Sequence, residues 1–492
     1  MYYPDKKEFI KKAKKGNLVP VFKEIVADME TPASAFRKIS SKNFCFLLES
    51  VEGGENIARY SFLGSNPSIL FSSKGQQASV IEDGKEKKYR MKKTPIEELK
   101  ILMSRYKAVE ENRLPRFYGG AVGYIGYDTV RFFEKLPDGN ADKLNFPDTF
   151  FMFTDTILIF DHVNHTIKVV SNAFIKNSPI KAYNEAIKKI DTLVKLLKQP
   201  LKPLPAESYA RDKKIKVSSN FTKDKFKKIV SKAKKYIRAG DIVQVVLSQR
   251  FQMDFKTDNF NLYRALRSVN PSPYMYYLKF KDLNIIGSSP EIHVRCEDGN
   301  VELRPIAGTR RRGKTRAEDA RLEKELLSDE KEKAEHIMLV DLGRNDIGRV
   351  CGVGSISVPE LMVIEKYSHV MHIVSDVRGT LKKGKNIYDL MKSTFPAGTV
   401  SGAPKIRAME VIDELENTKR GIYSGAIAYF SFSGNLDSAI TIRTIVVKGK
   451  KAFIQAGAGI VADSVPEKEY YETVNKAKGM IKAVELAESF RS

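Results

Sequence analysis

The chain has 492 residues, 42% hydrophobic, 10% aromatic and 29% charged, with 84 Lys+Arg against 60 Asp+Glu and a formal net charge of +24. That much apolar sequence excludes a disordered or fibrous chain and allows about three domain-sized units or fewer, larger ones. No apolar run reaches the ~18 residues of a membrane span, and the opening MYYPDKKEFIKKAKKG lacks the apolar core of a secretory signal. The reading is cytoplasmic. Cys45, Cys296 and Cys351 stand far apart without CxxC or Cys/His spacing, which argues against a disulfide framework or a zinc site.

Taken in order, 44–51 (FCFLLESV), 67–73 (PSILFSS), 121–127 (AVGYIGY), 151–161 (FMFTDTILIFD) and 166–174 (TIKVVSNAF) read as strands, followed by a helical pattern YNEAIKKIDTLVKLLK. Three prolines in 199–214 mark a linker between a region 1–200 and a region 215–490. The second region opens with a helix at 222–238 and gives strands at 241–253, 274–280, 284–289, 291–298 and 300–308. Charged helices are expected over 316–340 and a helix at PKIRAMEVIDELE. Strands at GAIAYFSFS and SAITIRTIVVKGKKAFIQAGAGIV follow, the latter a hairpin around Lys448 to Lys451, and a helix runs from 467 to 490. Many hairpins with interspersed helices and no βαβα alternation predict an α+β architecture.

A surplus of +24 suits nucleic acid, yet lysines in FTKDKFKKIVSKAKKYIRAGD alternate with apolar residues as on the wet side of an amphipathic helix. The densest basic run, RPIAGTRRRGKTR (304–316), carries six Lys/Arg and no aromatic residue for base stacking, so a flap over an anionic ligand fits it better. GGAVGYIG (119–126) lacks the helix and acidic residue of a dinucleotide fingerprint and reads as strand packing, whereas QAGAGIVADS (455–464) exits a strand with small residues whose N–H groups can face an anion. Glu332 and Glu335 precede His336, and Glu469 and Glu472 share a helix face. If Glu335 met Glu472 they would offer hard oxygens to Mg²⁺. SHVMH (368–372) sets His369 and His372 beside apolar residues, where a satisfied core histidine or a general base is possible.

Ordered along the chain, LLESVEGGENIARYSFLG (47–64), NPSPYMYYL (270–278), GSSPE (287–291), RPIAGTRRRG (304–313), EHIMLVDLGRND (335–346), SHVMH, FPAGTVSGAPKIRAMEVIDELE (395–416) and QAGAGIVADSVPEKEYYETVNKAKGM (455–480) resemble the large subunit of anthranilate synthase, within the chorismate-utilising enzymes, over about residues 30–485. The resemblance implies two facing, largely antiparallel sheet layers flanked by helices, with chorismate and Mg²⁺ in the cleft. It puts Glu335 and Glu472 on Mg²⁺, and Arg443 with the Gly457-Ala458-Gly459 backbone on the pyruvyl carboxylate. Tyr423, Gly308 and Thr309 would shape the pocket, Lys476 and Gln244 would border it, and Glu291, His372 and Thr309 would form the catalytic group.

The implied reaction adds ammonia at C2 of chorismate with loss of the C4 hydroxyl, for which Glu291 is the acid, and then eliminates pyruvate with help from His372, giving anthranilate on the way to tryptophan. Ala307 stands where aminodeoxychorismate synthases commonly carry lysine, and Gln244 stands where isochorismate and salicylate synthases carry it. Ammonia remains the attacking species. None of the cysteines has the glycine-flanked turn of a glutaminase nucleophile, so ammonia is expected from a separate amidotransferase subunit in a heterodimer or heterotetramer. LLES and NPSPYM resemble tryptophan-binding elements, which assigns the inhibitor to Glu49, Ser50, Asn270, Pro273, Tyr274 and Met275, with Leu48 and Met275 as apolar walls. The alternatives are the chorismate-binding subunit of aminodeoxychorismate synthase, or a basic scaffold or nucleic-acid-binding protein without activity.

Overall fold

The computed structural model describes residues 1–50, 59–201, 215–367 and 370–490. His369, most of the predicted linker and residues 51–58 lie outside the described residues. Among the described residues two twelve-stranded sheets carry the architecture, each a row of eleven strands, with Gly402–Ala403 added beside Gln244–Asp254 in the first and Ser357–Lys366 beside Val370–Thr380 in the second. The first runs from Leu18–Val26 through Thr166–Phe174, Thr156–Asp161, Tyr60–Ser65, Phe44–Glu49, Tyr274–Phe280, Leu283–Ser289, Thr444–Lys448, Lys451–Ile460 and Gln244–Asp254 to Ser218–Ser219. The second runs from Ile306–Arg311 through Val370–Thr380, Asn300–Leu303, Ile292–Glu297, Leu436–Ile440, Ala426–Ser431, Gly120–Ile125, Thr149–Thr154, Ile69–Lys74 and Gln77–Glu82 to Lys85–Arg90. Neighbouring strands within both sheets pair antiparallel, as the α+β expectation requires. Each sheet contains strands from both sides of residue 201.

The sheets face each other across a layer rich in aromatics, including Phe46, Phe62, Phe117, Tyr124, Tyr276 and Phe280. Helices Pro179–Leu197, Asn259–Val269 and Pro466–Ser489 cover the far side of the first sheet, while Pro95–Met103 and Ile387–Thr394 cover that of the second. The spacing of Thr473, Ala477, Met480, Val484 and Ala487 explains why Pro466–Ser489 docks: one stripe at helical period is buried, and Pro466 at the first turn loses no hydrogen bond. Helix Lys223–Arg238 is started by the Thr222 side chain, buries Phe226, Val230 and Ala233, and turns its lysines to water, so much of the positive charge is ordinary solvated surface.

Three predicted strands are divided. The strand expected at 300–308 breaks into Asn300–Leu303 and Ile306–Arg311, and the first limb of SAITIRTIVVKGKKAFIQAGAGIV splits between Leu436–Ile440 in the second sheet and Thr444–Lys448 in the first. FMFTDTILIFD forms Thr149–Thr154 in the second sheet and Thr156–Asp161 in the first, crossing between layers at Asp155. Both halves are buried, so the sequence shows one apolar run and period alone cannot mark the crossing. GGAVGYIG supplies Gly120–Ile125, where a Cβ on Gly123 would strike the backbone of Phe150; close strand packing is its role.

Candidate active site

Strand Lys451–Ile460 supplies the floor of a cleft, with Gly457 and Gly459 on one face because side chains alternate along a strand. A Cβ at Gly459 would lie 2.5 Å from Gln244 Nε2 and 3.8 Å from Glu335 Oε1; one at Gly457 would lie 2.7 Å from the Tyr423 hydroxyl. Gln244 Nε2 donates to Glu335 Oε1 at 2.8 Å, which orients that carboxylate along the glycine row. On the opposite wall the Lys476 ammonium bonds Gly457 O at 3.1 Å and Glu472 Oε1 at 2.7 Å. Two helices, Glu330–Gly348 and Pro466–Ser489, therefore bring Glu335 and Glu472 to the same glycine segment.

Glu332 and Glu469 flank this pair, and each carboxyl is raised by burial and by its neighbour, Glu335 and Glu472 respectively. Glu472 is paired with Lys476 and Glu332 with Arg310, which leaves Glu335 and Glu469 without a cationic partner among the described residues. Among the described residues no three His, Cys, Asp or Glu side chains form a ready-made metal cage. Mg²⁺ needs no such cage, since one or two carboxylates suffice when water and substrate oxygens complete the shell, and Glu335 with Glu472 fit that donor chemistry.

Arg443 adds the opposite charge. Its Nη1 donates to Lys476 O at 3.3 Å, its backbone holds φ +49, and burial lowers its pKa while Tyr423 and Glu472 support the charge. A non-glycine residue in the left-handed region costs of order 1 kcal/mol and persists where its surroundings over-determine it. The strand pair Ile306–Arg311 and Val370–Thr380 of the second sheet contributes His372: Nδ1 lies 2.9 Å from Gly308 O and 3.1 Å from Thr309 Oγ1. That pairing fits a proton on Nδ1 and leaves Nε2 as the available lone pair. Burial and the Arg443 charge lower the His372 pKa, which keeps the ring neutral. Gly308 takes φ +65 at a bulge between Ala307 and Thr309, a conformation open to glycine.

Glu291, 8% exposed, lines an adjoining cavity with His293, Gly398 and Thr399. Burial pushes it up to about 8, and the Thr399 hydroxyl and the Lys476 charge pull it back only in part. At neutral pH it is an acid with a proton to give. His336, by contrast, is a core histidine: it is fully buried, bonds Ser375 Oγ at 2.6 Å, and burial pushes it down to about 4.

Four of the six cations in the basic run 304–316 are paired within the chain. Arg310 pairs with Glu325, Asp329 and Glu332, Arg311 with Glu318, Arg312 with Asp319, and Arg304 with Glu365. These acids sit on or between the charged helices Arg316–Ser328 and Glu330–Gly348 or on strand Ser357–Lys366, so most of the run's charge is met inside the chain.

A second pocket, about 620 Å³ including its mouth, opens between the sheets and is lined by Leu48, Glu49, Ser50, Pro273, Tyr274 and Met275 among others. Glu49 is buried against the Tyr263 hydroxyl with Arg267 3.5 Å away, and burial raises its pKa against both. The Ser50 hydroxyl is buried with no partner among the described residues. Asn270 does not line this pocket; it ends the helix before it and donates to Ser288 Oγ at 2.9 Å. The far wall went unread in the sequence: Arg116 and Arg295 converge on Asp437 at 3.3 Å each, and Tyr274 and Tyr429 cap the cluster. Thr399, beside Glu291, was also missed, although FPAGTVSG contains it. No spacing rule links Arg116 to a partner more than 300 residues away.

The family model described as chorismate binding enzyme matches residues 44–482. The chain is 52% identical over 495 residues to anthranilate synthase component 1 of Acetivibrio thermocellus, covering 100% of each chain. It is 52% identical to the Aquifex aeolicus protein of the same name, covering 96% of each. Among solved structures it is similar to anthranilate synthase component I of Streptococcus pneumoniae, at 39% identity and TM-score 0.76, covering 88% of this chain and 93% of that one.

Proposed function

The chain belongs to the chorismate-binding enzymes, among the anthranilate synthase component 1 proteins, and converts chorismate to anthranilate; we propose that it does so in the Gly457–Gly459 cleft with Glu291 as the general acid. The observation that carries this reading is a buried carboxyl, pushed up to about 8, that lines a cavity with Thr399 and is reached by the charge of Lys476 at the glycine segment. Chorismate brings two carboxylates. Arg443 and the glycine backbone are suited to the pyruvyl carboxylate, and Glu335 and Glu472 would hold Mg²⁺, whose positive charge would neutralise the ring carboxylate and draw electron density from the ring.

Ammonia forms the C2–N bond while the C4 hydroxyl leaves; hydroxide leaves poorly, so Glu291 gives its proton and water departs. Tied through Nδ1 to Gly308, His372 offers Nε2 for the proton lost as pyruvate is eliminated and the ring becomes aromatic. Atoms balance as chorismate plus ammonia to anthranilate, pyruvate and water. Gln244, an amide held against Glu335, is no base for activating water, which supports ammonia as nucleophile.

Ammonia is proposed to come from a separate glutaminase subunit in the cytosol. Cys45, Cys296 and Cys351 are buried and each thiol is pushed up to about 11, so none is poised as a glutaminase nucleophile. The second pocket is proposed to bind L-tryptophan as feedback inhibitor: Leu48, Met275 and Tyr429 offer walls to an indole, and Glu49 and the unpartnered Ser50 hydroxyl offer polar contacts to its amino acid end. Because the chain has no tryptophan, indole emission in a titration reports the effector alone. The deciding experiment incubates the pure chain with chorismate, Mg²⁺ and an ammonium salt at alkaline pH. Anthranilate should form with ammonium and not with glutamine; para-aminobenzoate, or turnover of glutamine by the pure chain, would overturn the reading.

A further inference from the structure

Strand Gln244–Asp254 pairs with the strand that carries the glycine floor, and its register sets Val246 opposite Gly459 and Ser248 opposite Gly457. On its other edge, among the described residues, strands pair only toward the ends: Gly402–Ala403 with Gln244 and Val245, and Ser218–Ser219 with Gln252 and Phe251. Between them side chains stand where a further strand would supply hydrogen-bond partners. Val246 O accepts from Arg420 Nη2 at 2.7 Å, and Ser248 N donates to Glu416 Oε1 at 2.9 Å. An ion pair thus completes the ladder at the two residues that back the glycines.

That pair is deep inside the protein. Arg420 and Glu416 are 3% and 5% exposed and meet at 2.6 Å. Every guanidinium nitrogen is engaged: Nε and Nη2 on the Glu416 carboxylate, Nη2 also on Val246 O, and Nη1 on Val400 O at 2.7 Å. Val400 follows Thr399, which lines the Glu291 cavity. The guanidinium carbon also lies 4.8 Å from the Tyr127 ring centre and 5.6 Å from that of Tyr423, whose hydroxyl reaches the Gly457 floor. A buried ion pair offsets little more than its own desolvation, so net stability does not account for one at this place. A rigid planar fork does, because it holds several acceptors in one fixed arrangement.

We propose, resting on the placement of chorismate in the Gly457–Gly459 cleft, that Arg420 and Glu416 are positioning residues for the reaction. They form one clamp that sets the glycine floor, the Tyr423 wall and the Thr399 segment at fixed separations and touches none of the reacting atoms. A lysine at 420 keeps the charge, but its single nitrogen cannot stand at the places of both Nη1 and Nη2. Either the Val246 or the Val400 carbonyl then loses its hold, and the floor shifts against the Thr399 segment.

Arg420→Lys, assayed with ammonium well below its own melting midpoint, should raise chorismate KM about tenfold or more. A role in folding alone moves a different quantity: it lowers the folded fraction, and apparent kcat with it, and leaves KM where it was. Should Arg420→Lys fail to fold, Ser248→Ala decides. It removes the hydroxyl that Glu416 also holds at 2.8 Å and leaves the ion pair in place, and KM should rise about threefold. Unchanged KM in folded Arg420→Lys, or in Ser248→Ala where that variant is the one used, would overturn the proposal. Gly459→Ala separates this outcome from a misplaced cleft: KM raised by Gly459→Ala and unmoved by the clamp variant sinks the clamp alone, whereas KM unmoved in both sinks the cleft with it.

Discussion

The cleft and the second pocket are lined by different elements and are built by opposite means. The cleft is floored by glycines, walled by four glutamates, Arg443 and Lys476, and holds strained backbone at Arg443. The second pocket is walled by Leu48, Phe62, Met275 and Tyr429, with its charges already paired at the margins as Glu49 with Arg267 and Asp437 with Arg116 and Arg295. The contrast separates two tasks. A site that reacts keeps part of its charge open, here Glu335 and Arg443, and one carboxyl off its ordinary pKa, while a site that only binds presents a preformed apolar slot with its ion pairs closed.

The contrast breaks most visibly at Glu291. Glu291→Gln keeps the shape and removes the proton, so kcat with saturating ammonia should fall by about 10²–10⁴ while tryptophan affinity, read by indole emission, stays within twofold. An equal loss in both readouts would make Glu291 structural. The same group sets a pH limit. Its folded pKa near 8 lies above the ordinary carboxyl value, so it is protonated and competent below about 8 and loses its proton above. With free ammonia held constant, kcat should therefore decline through a single step near pH 8, and the residual activity of Glu291→Gln should lack that step.

Gly459→Ala tests the floor. The added methyl would meet Gln244 Nε2 at 2.5 Å, and that flexible amide can move only by releasing Glu335. Chorismate KM should rise about tenfold, equal to ~1.4 kcal/mol, and the Mg²⁺ concentration for half-activity should rise with it. In the second pocket Ser50→Ala removes a hydroxyl that has no partner among the described residues, so folding should not suffer, while tryptophan affinity should drop about three- to tenfold. Unchanged affinity would take Ser50 out of the effector site.

These residues differ in how far the sequence announced them. The glycine segment and Glu335 with Glu472 lie in stretches whose order along the chain carries the resemblance, Arg443 falls between two of them, and period-3.6 and period-2 patterns sufficed for helices such as Lys223–Arg238 and the hairpin at Lys448–Lys451. The crossing at Asp155 was invisible because burial on both sides erases the alternation that marks a strand's end. The perturbation of Glu291 was invisible too, since desolvation is a property of everything packed around a carboxyl and GSSPE fixes none of it. Arg116, Arg295 and Asp437 meet only because strands distant in sequence adjoin across the second sheet and its facing layer.

Asn270 gives the smallest expected effect and the finest division between reading a motif and reading a site. It belongs to NPSPYM, whose Pro273, Tyr274 and Met275 do line the second pocket, but its own amide is spent on Ser288 Oγ, which in turn contacts Ser272 at 3.0 Å. Its work on this geometry is to fix the turn between helix Asn259–Val269 and strand Tyr274–Phe280. Asn270→Ala should therefore cost about 1 kcal/mol of stability, the worth of one partly buried hydrogen bond. Tryptophan affinity should weaken at most twofold and only together with that loss. A larger, stability-independent loss of tryptophan binding would return Asn270 to direct contact with the effector.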